Sequence, residues 1–136
     1  MGLFANFDIS GSAISAQSIR LNTTASNMAN SETIASTAED AYRARQPVFQ
    51  AMMQHNMQPG QVGVRMLGVV ESGIDVAPRY DPGHAMANED GYVFVSNVNP
   101  VEEMANMISA SRAYQNNVEV LNTSRDLLMR ALSLGS

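Results

Sequence analysis

LFANFDISGSAISAQSIRLNTTASNMAN (residues 3–30) carries Phe7, Ile14, Leu21 and Met28 at intervals of seven, with almost no charge. Across residues 1–31 the only charged side chains are Asp8 and Arg20. Four residues after each of the first three stands a small one: Gly11, Ser18 and Ala25. This spacing predicts a helix from about residue 3 to about residue 29, with Asn30 ending it in the left-handed conformation that Asn tolerates. A surface helix of a monomer turns a charged face to water. Here short, weakly polar groups stand where the charges should be, which predicts a helix packed on most sides, and so assembly with other chains.

The far end of the chain mirrors this pattern. Asn99 is placed to cap a helix, Pro100 suits its first position, and Glu102 completes a capping box. Met104, Met107, Ser111, Tyr114, Val118, Leu121, Arg125, Leu128 and Leu132 then keep a three-four spacing, interrupted only by Ser111 and Arg125, with Gly135 as a stop. Such a repeat predicts a coiled-coil-like helix.

Between the helices the signals change. Residues 31–41, rich in Ser, Thr, Ala and Glu, read as a loop. Tyr42 to Gln50 alternates like a strand, but Pro47 restricts it to an edge or a bulge. Gln50 to Gln61 is polar and Met-rich, ends in Pro59-Gly60, and reads as an exposed, mobile loop. Val62–Glu71, Ile74–Tyr80 and Tyr92–Val95 read as strands, parted by turns at Ser72-Gly73, Asp81-Pro82-Gly83 and Asn88-Glu89-Asp90-Gly91. The expected fold is α+β: an N-terminal helix in 1–31, a small module of three or four strands in 32–98, and a C-terminal helix in 99–136. The two helices together make one domain. Two helices alone bury little apolar surface, so they are expected to fold fully only against other copies or partners.

Composition excludes several classes of function. The net charge is -5, all eight basic residues are Arg, and no basic run exists, which disfavours nucleic acid and anionic lipid as partners. Cysteine is absent, so disulfides and thiolate metal sites are excluded. The N-terminus lacks the features of a cleaved signal peptide, and no apolar run approaches the length of about 20 residues that spans a bilayer. His55 and His84 stand in different loops, Asp81 and Asp90 lack calcium-loop spacing, and Glu102-Glu103 is explained by the helix dipole. No nucleophile elbow or phosphate-cradling loop is present. No enzyme, metal or cofactor is expected.

Two stretches carry a family likeness. Ala25-Ser26-Asn27-Met28-Ala29-Asn30, followed by Ser31-Glu32-Thr33, resembles the N-terminal signature of the bacterial flagellar rod and hook axial proteins. The run from Glu103 to Thr123 resembles their C-terminal helix, and the likeness extends to Asp8–Ala13, Tyr42–Ala44, Asp90–Val93 and Leu132–Gly135. The resemblance, together with the short chain, implies a structural subunit of the proximal rod, the drive shaft of the basal body in the periplasm. It implies assembly around an export channel, transmission of torque from motor to hook, and passage through the flagellar type III export apparatus without a cleaved signal. The implied partners are other copies of this chain, other rod proteins and the rod-to-ring adaptor. Phe7, Ile14, Leu21 and Met28, with Met107, Tyr114, Val118, Leu121, Leu128 and Leu132, are then the expected packing surface within and between subunits. The competing reading is a helical binding module such as a flagellar or type III secretion chaperone or adaptor.

Overall fold

A proline-free run with a single glycine winds into α1 (Leu3–Ala29), and Asn99 starts α2 (Pro100–Leu134) as a true cap. Its Oδ1 accepts the amides of Val101 at 3.1 Å and Glu102 at 3.4 Å, satisfying two of the donors that every helix start leaves open. The computed structural model describes residues 3–52 and 62–134. At about 1.5 Å per residue, α1 is about 40 Å long and α2 about 52 Å. They run antiparallel: near the end of α1 Asn27 meets Glu103, and further back Arg20 meets Asn106.

Five strands lie between them. β1 (Ile34–Ala35), β5 (Tyr92–Val95) and β4 (Ala77–Tyr80) form one antiparallel sheet in the order β1-β5-β4. β2 (Arg45–Met52) and β3 (Gly63–Glu71) form a separate antiparallel ribbon. The ribbon lies along α1, where Ser12 Oγ accepts the amide of Val64 at 3.2 Å. The β1–β5 pair ties the exit of α1 to the entrance of α2, because Ile34 faces Val95 and Ser96 donates its amide to the Thr33 carbonyl.

The α+β reading and the order helix, β module, helix hold, with four differences. The segment 31–41 is not wholly a loop, since Ile34 and Ala35 pair with β5. The module has five strands in two sheets rather than three or four. The strand expected from Ile74 begins only at Ala77, because the Ile74 carbonyl is taken by the side chains of Asn97 and Arg43. No non-glycine residue among those described has a positive φ, so Asn30 does not end α1 in the left-handed way. It ends α1 through its side chain, Nδ2 donating to the Ser26 carbonyl at 2.8 Å. Pro47 behaves as expected: it lies in a two-stranded ribbon, and the register slips between Val48 and Phe49. Of the segment 50–61, Gln50–Met52 belong to β2, and 53–61, with His55, lie outside the described residues.

The core has two parts. In the β module Ala35, Ala41 and Val76 pack with Ala38 and Phe94, and Val93 is fully buried. On the helices the buried positions are small or polar: Ser10, Ala16, Thr24, Asn27, Ala110 and Ser124. Small side chains on the seam let the two backbones approach closely, and the larger heptad residues flank it.

Candidate assembly surface

Asn27 is 1% exposed, and every hydrogen-bonding capacity of its amide is used. Its Nδ2 donates to the Arg45 carbonyl at 2.8 Å and to Glu103 Oε2 at 3.2 Å. Its Oδ1 accepts the Arg45 amide at 2.9 Å and the Tyr42 hydroxyl at 3.0 Å. An Asn amide offers two donors and two acceptor lone pairs, so this side chain is saturated. One residue thus joins α1, the start of β2 and the first turn of α2. Tyr42 spends its only proton on Asn27, so Ser26 Oγ is the donor in the 3.3 Å contact between Ser26 and Tyr42. Of the rest of the motif, Met28 is half-buried, Ala25 and Ala29 are exposed, and Asn30 closes the helix.

A second asparagine hub was not foreseen. Asn97 Oδ1 accepts the Ala44 amide and its Nδ2 donates to the Ile74 carbonyl, both at 2.6 Å. It pins three loops just before α2. The signal available in the sequence was an Asn between a strand and a capped helix, which is common and carries no partner with it.

Nine of the ten residues expected to form the packing surface are half-buried within this one chain. Phe7, Ile14, Leu21 and Met28 on α1, and Met107, Tyr114, Val118, Leu121 and Leu128 on α2, flank the intrachain seam. Leu132 stands apart at 63% exposure. A further set of apolar residues on α2 lies open: Val101, Met104, Ile108, Val120, Leu127, Met129 and Leu134. Among them Val120, Leu127 and Leu134 stand seven apart, a spacing visible in the sequence but not singled out there.

The other candidates fall into turns. His84 Nδ1 accepts the Met86 amide, and Asn88 Oδ1 accepts the amides of Asp90 and Tyr92. Asp81 is exposed enough to pair with Arg79 at 3.7 Å. Among the described residues no helix is long and apolar enough to cross a membrane, and no three His, Asp or Glu side chains cluster as metal ligands.

Comparison with known proteins gives this architecture a family. Residues 7–34 match the model of the flagella basal body rod protein, and residues 89–134 match that of the flagellar basal body rod FlgEFG protein C-terminal region. Flagellar basal-body rod protein FlgC of Yersinia enterocolitica is 47% identical, with 99% of each chain covered. The proteins of the same name from Salmonella typhimurium and Escherichia coli O6:H1 are 45% and 46% identical over the same shares. The chain belongs to this family of flagellar rod proteins. It is a structural subunit of the basal-body rod, and the chaperone alternative is not favoured. The two matched regions are those the fold brings together: α1 through β1, and β5 through α2. Asn27 and Glu103, 76 positions apart, lie one in each.

Proposed function

We propose that α1 and α2 are the elements by which this subunit builds the proximal rod. Helices of successive subunits pack around a central export channel, with the β module further out, and torque passes from motor to hook through that packing. Stiffness is then the function, and the role is structural rather than catalytic. The observation that carries this is the apolar surface of the helix pair, which exceeds what the pair itself covers: nine heptad residues are only half-buried, and a further apolar row on α2 is open. Exposed apolar surface of this extent marks an interaction site. Other copies, other rod proteins and the rod-to-ring adaptor are the partners, and the flagellar export apparatus delivers the chain to the periplasm.

Leu121→Asp tests this. Leu121 is half-buried at the flank of the seam, where a carboxylate would have no compensating partner. Cells carrying it as their only copy should export the chain yet build no rod and not swim. Normal swimming overturns the packing scheme. Limited proteolysis adds a second check, since a rod subunit outside its assembly should lose its helical ends first, whereas a folded chaperone dimer should resist.

A further inference from the structure

The helix pair has two outward faces, and they differ in kind. On α1 the exposed residues Asp8, Gly11, Ser15, Asn22 and Ala25 follow a three-four spacing, and all have short side chains. A Cβ built on Gly11 meets nothing within 4 Å, so this face is open. On α2 the outward row is Ala113, Val120, Leu127 and Leu134, of which the last three are 49%, 52% and 88% exposed. Two shallow depressions that meet at Asn116 run along that side of α2. Each row is a heptad seam; at 1.5 Å per residue the α1 face extends over about 26 Å and the α2 row over about 32 Å.

We propose that the outward row of α2 seats on the outward face of α1 of a second copy of this chain, with the two helices antiparallel. This rests on the reading of the helices as the assembly element of the rod and assigns the faces that meet. A pairing of Asp8 with Arg130 fixes the orientation and the register of this seam. Arg112 and Glu119 stand along this side of α2; the charge near its end is Arg130, and the one charge of the α1 face, Asp8, lies near that face's beginning. Neither Asp8 nor Arg130 belongs to an ion pair among the described residues. Placing Asp8 opposite Arg130 with antiparallel helices sets Leu127 over Gly11, Val120 over Ser18 and Ala113 over Ala25. Leu127 and Val120 then each meet a smaller side chain, in the manner of knobs and holes, and Ala113 meets its equal, Ala25. The contact joins unlike surfaces, so it does not close into a dimer. A heterologous contact propagates, which a rod requires.

The chain has no cysteine, so engineered pairs report cleanly. Gly11→Cys with Leu127→Cys, and Ser18→Cys with Val120→Cys, are introduced into the full chain as the only copy in the cell, and purified basal bodies are oxidised. A ladder of cross-linked oligomers from both pairs, absent with either cysteine alone, is expected. Asp8→Arg and Arg130→Asp should each reduce swimming at least several-fold, and the two together should restore it. Dimers from Leu127→Cys alone overturn the proposal, since they place α2 against α2. So do basal bodies that contain the double-cysteine chain without a ladder, or a charge swap that fails to restore swimming in exported chains. Swimming cells whose basal bodies lack the chain overturn the rod reading itself, and the seam with it.

Discussion

The side chain of Asn27 holds both backbone groups of Arg45, accepting its amide at 2.9 Å and donating to its carbonyl at 2.8 Å. The first residue of a strand must find partners for an N–H and a C=O, and an Asn amide supplies both in one plane. The position is 18 residues upstream and sits inside a helix. The exit of α1 and the entry of β2, where Arg45 also pairs with Glu71 of β3, are therefore fixed to each other through this one side chain. Glu103 adds α2 to the same junction.

Asn27→Ala should lower the stability of the β module by about 2–3 kcal/mol, because it removes all four hydrogen bonds of a buried side chain. Asn27→Asp should cost more, although it is nearly isosteric. It removes both donors and sets a second carboxylate beside Glu103 and the Arg45 carbonyl. Urea unfolding followed by tyrosine fluorescence checks both, since Tyr42, Tyr80 and Tyr92 lie in the module and the chain lacks Trp. An Asp variant as stable as the wild type would remove the amide from its structural role.

Gly91 is the one described residue whose conformation demands glycine. Its φ is +80°, and an added Cβ would sit 3.0 Å from Tyr80 Cε2 and 3.1 Å from Pro82 Cβ. The strain comes from both the backbone and the contact with the edge-packed Tyr80–Tyr92 pair, whose rings are 5.2 Å apart. Gly91→Ala should destabilise the module by about 1–3 kcal/mol. Gly11→Ala is the control: it meets nothing and should leave the isolated chain as stable or up to about 1 kcal/mol more stable. Thermal unfolding should therefore shift to lower temperature for Gly91→Ala and not for Gly11→Ala.

What could be read from the sequence was what is local. The heptads, the cap at Asn99, the turn at Asn88–Gly91 and the effect of Pro47 all depend on residues a few positions apart, and the structure contains each of them. What escaped was set by long-range partners. β1 is two residues long, with no period to detect, and exists because β5 passes beside it. The hubs at Asn27 and Asn97 connect residues between 15 and 76 positions away. The ending of α1 failed for a different reason. Asn serves equally well in a left-handed cap or as a donor to the last turn, and the sequence alone does not distinguish the two.

Asn99→Ala should cost about 1 kcal/mol, confined to the start of α2. The cap binds only the amides of Val101 and Glu102, and the helix beyond Glu103 is held by the seam and by Asn27. Hydrogen exchange at those two amides should accelerate several-fold, while exchange at Ala110, on the buried face, should not change. Acceleration spreading along α2 would mean that the cap, rather than the seam, holds the helix.

The guanidinium of Arg45 is the counterpart to its backbone. It pairs with Glu71 at 3.6 Å across the ribbon and lies 5.5 Å from the centre of the Tyr42 ring. The two charged side chains are 49% and 58% exposed, so solvent and salt screen the pair. Glu71→Gln should change stability by under about 0.5 kcal/mol, and Arg45→Ala by no more than about 1 kcal/mol once the ring contact is included. Both effects should be smaller than that of Asn27→Ala, which acts on the same residue through its main chain. A double-mutant cycle between Asn27 and Arg45 separates the two. If the side chain of Arg45 is peripheral, Arg45→Ala and Asn27→Ala add within about 0.5 kcal/mol. A larger coupling would show that the cation over Tyr42 helps to orient the hydroxyl that Asn27 accepts.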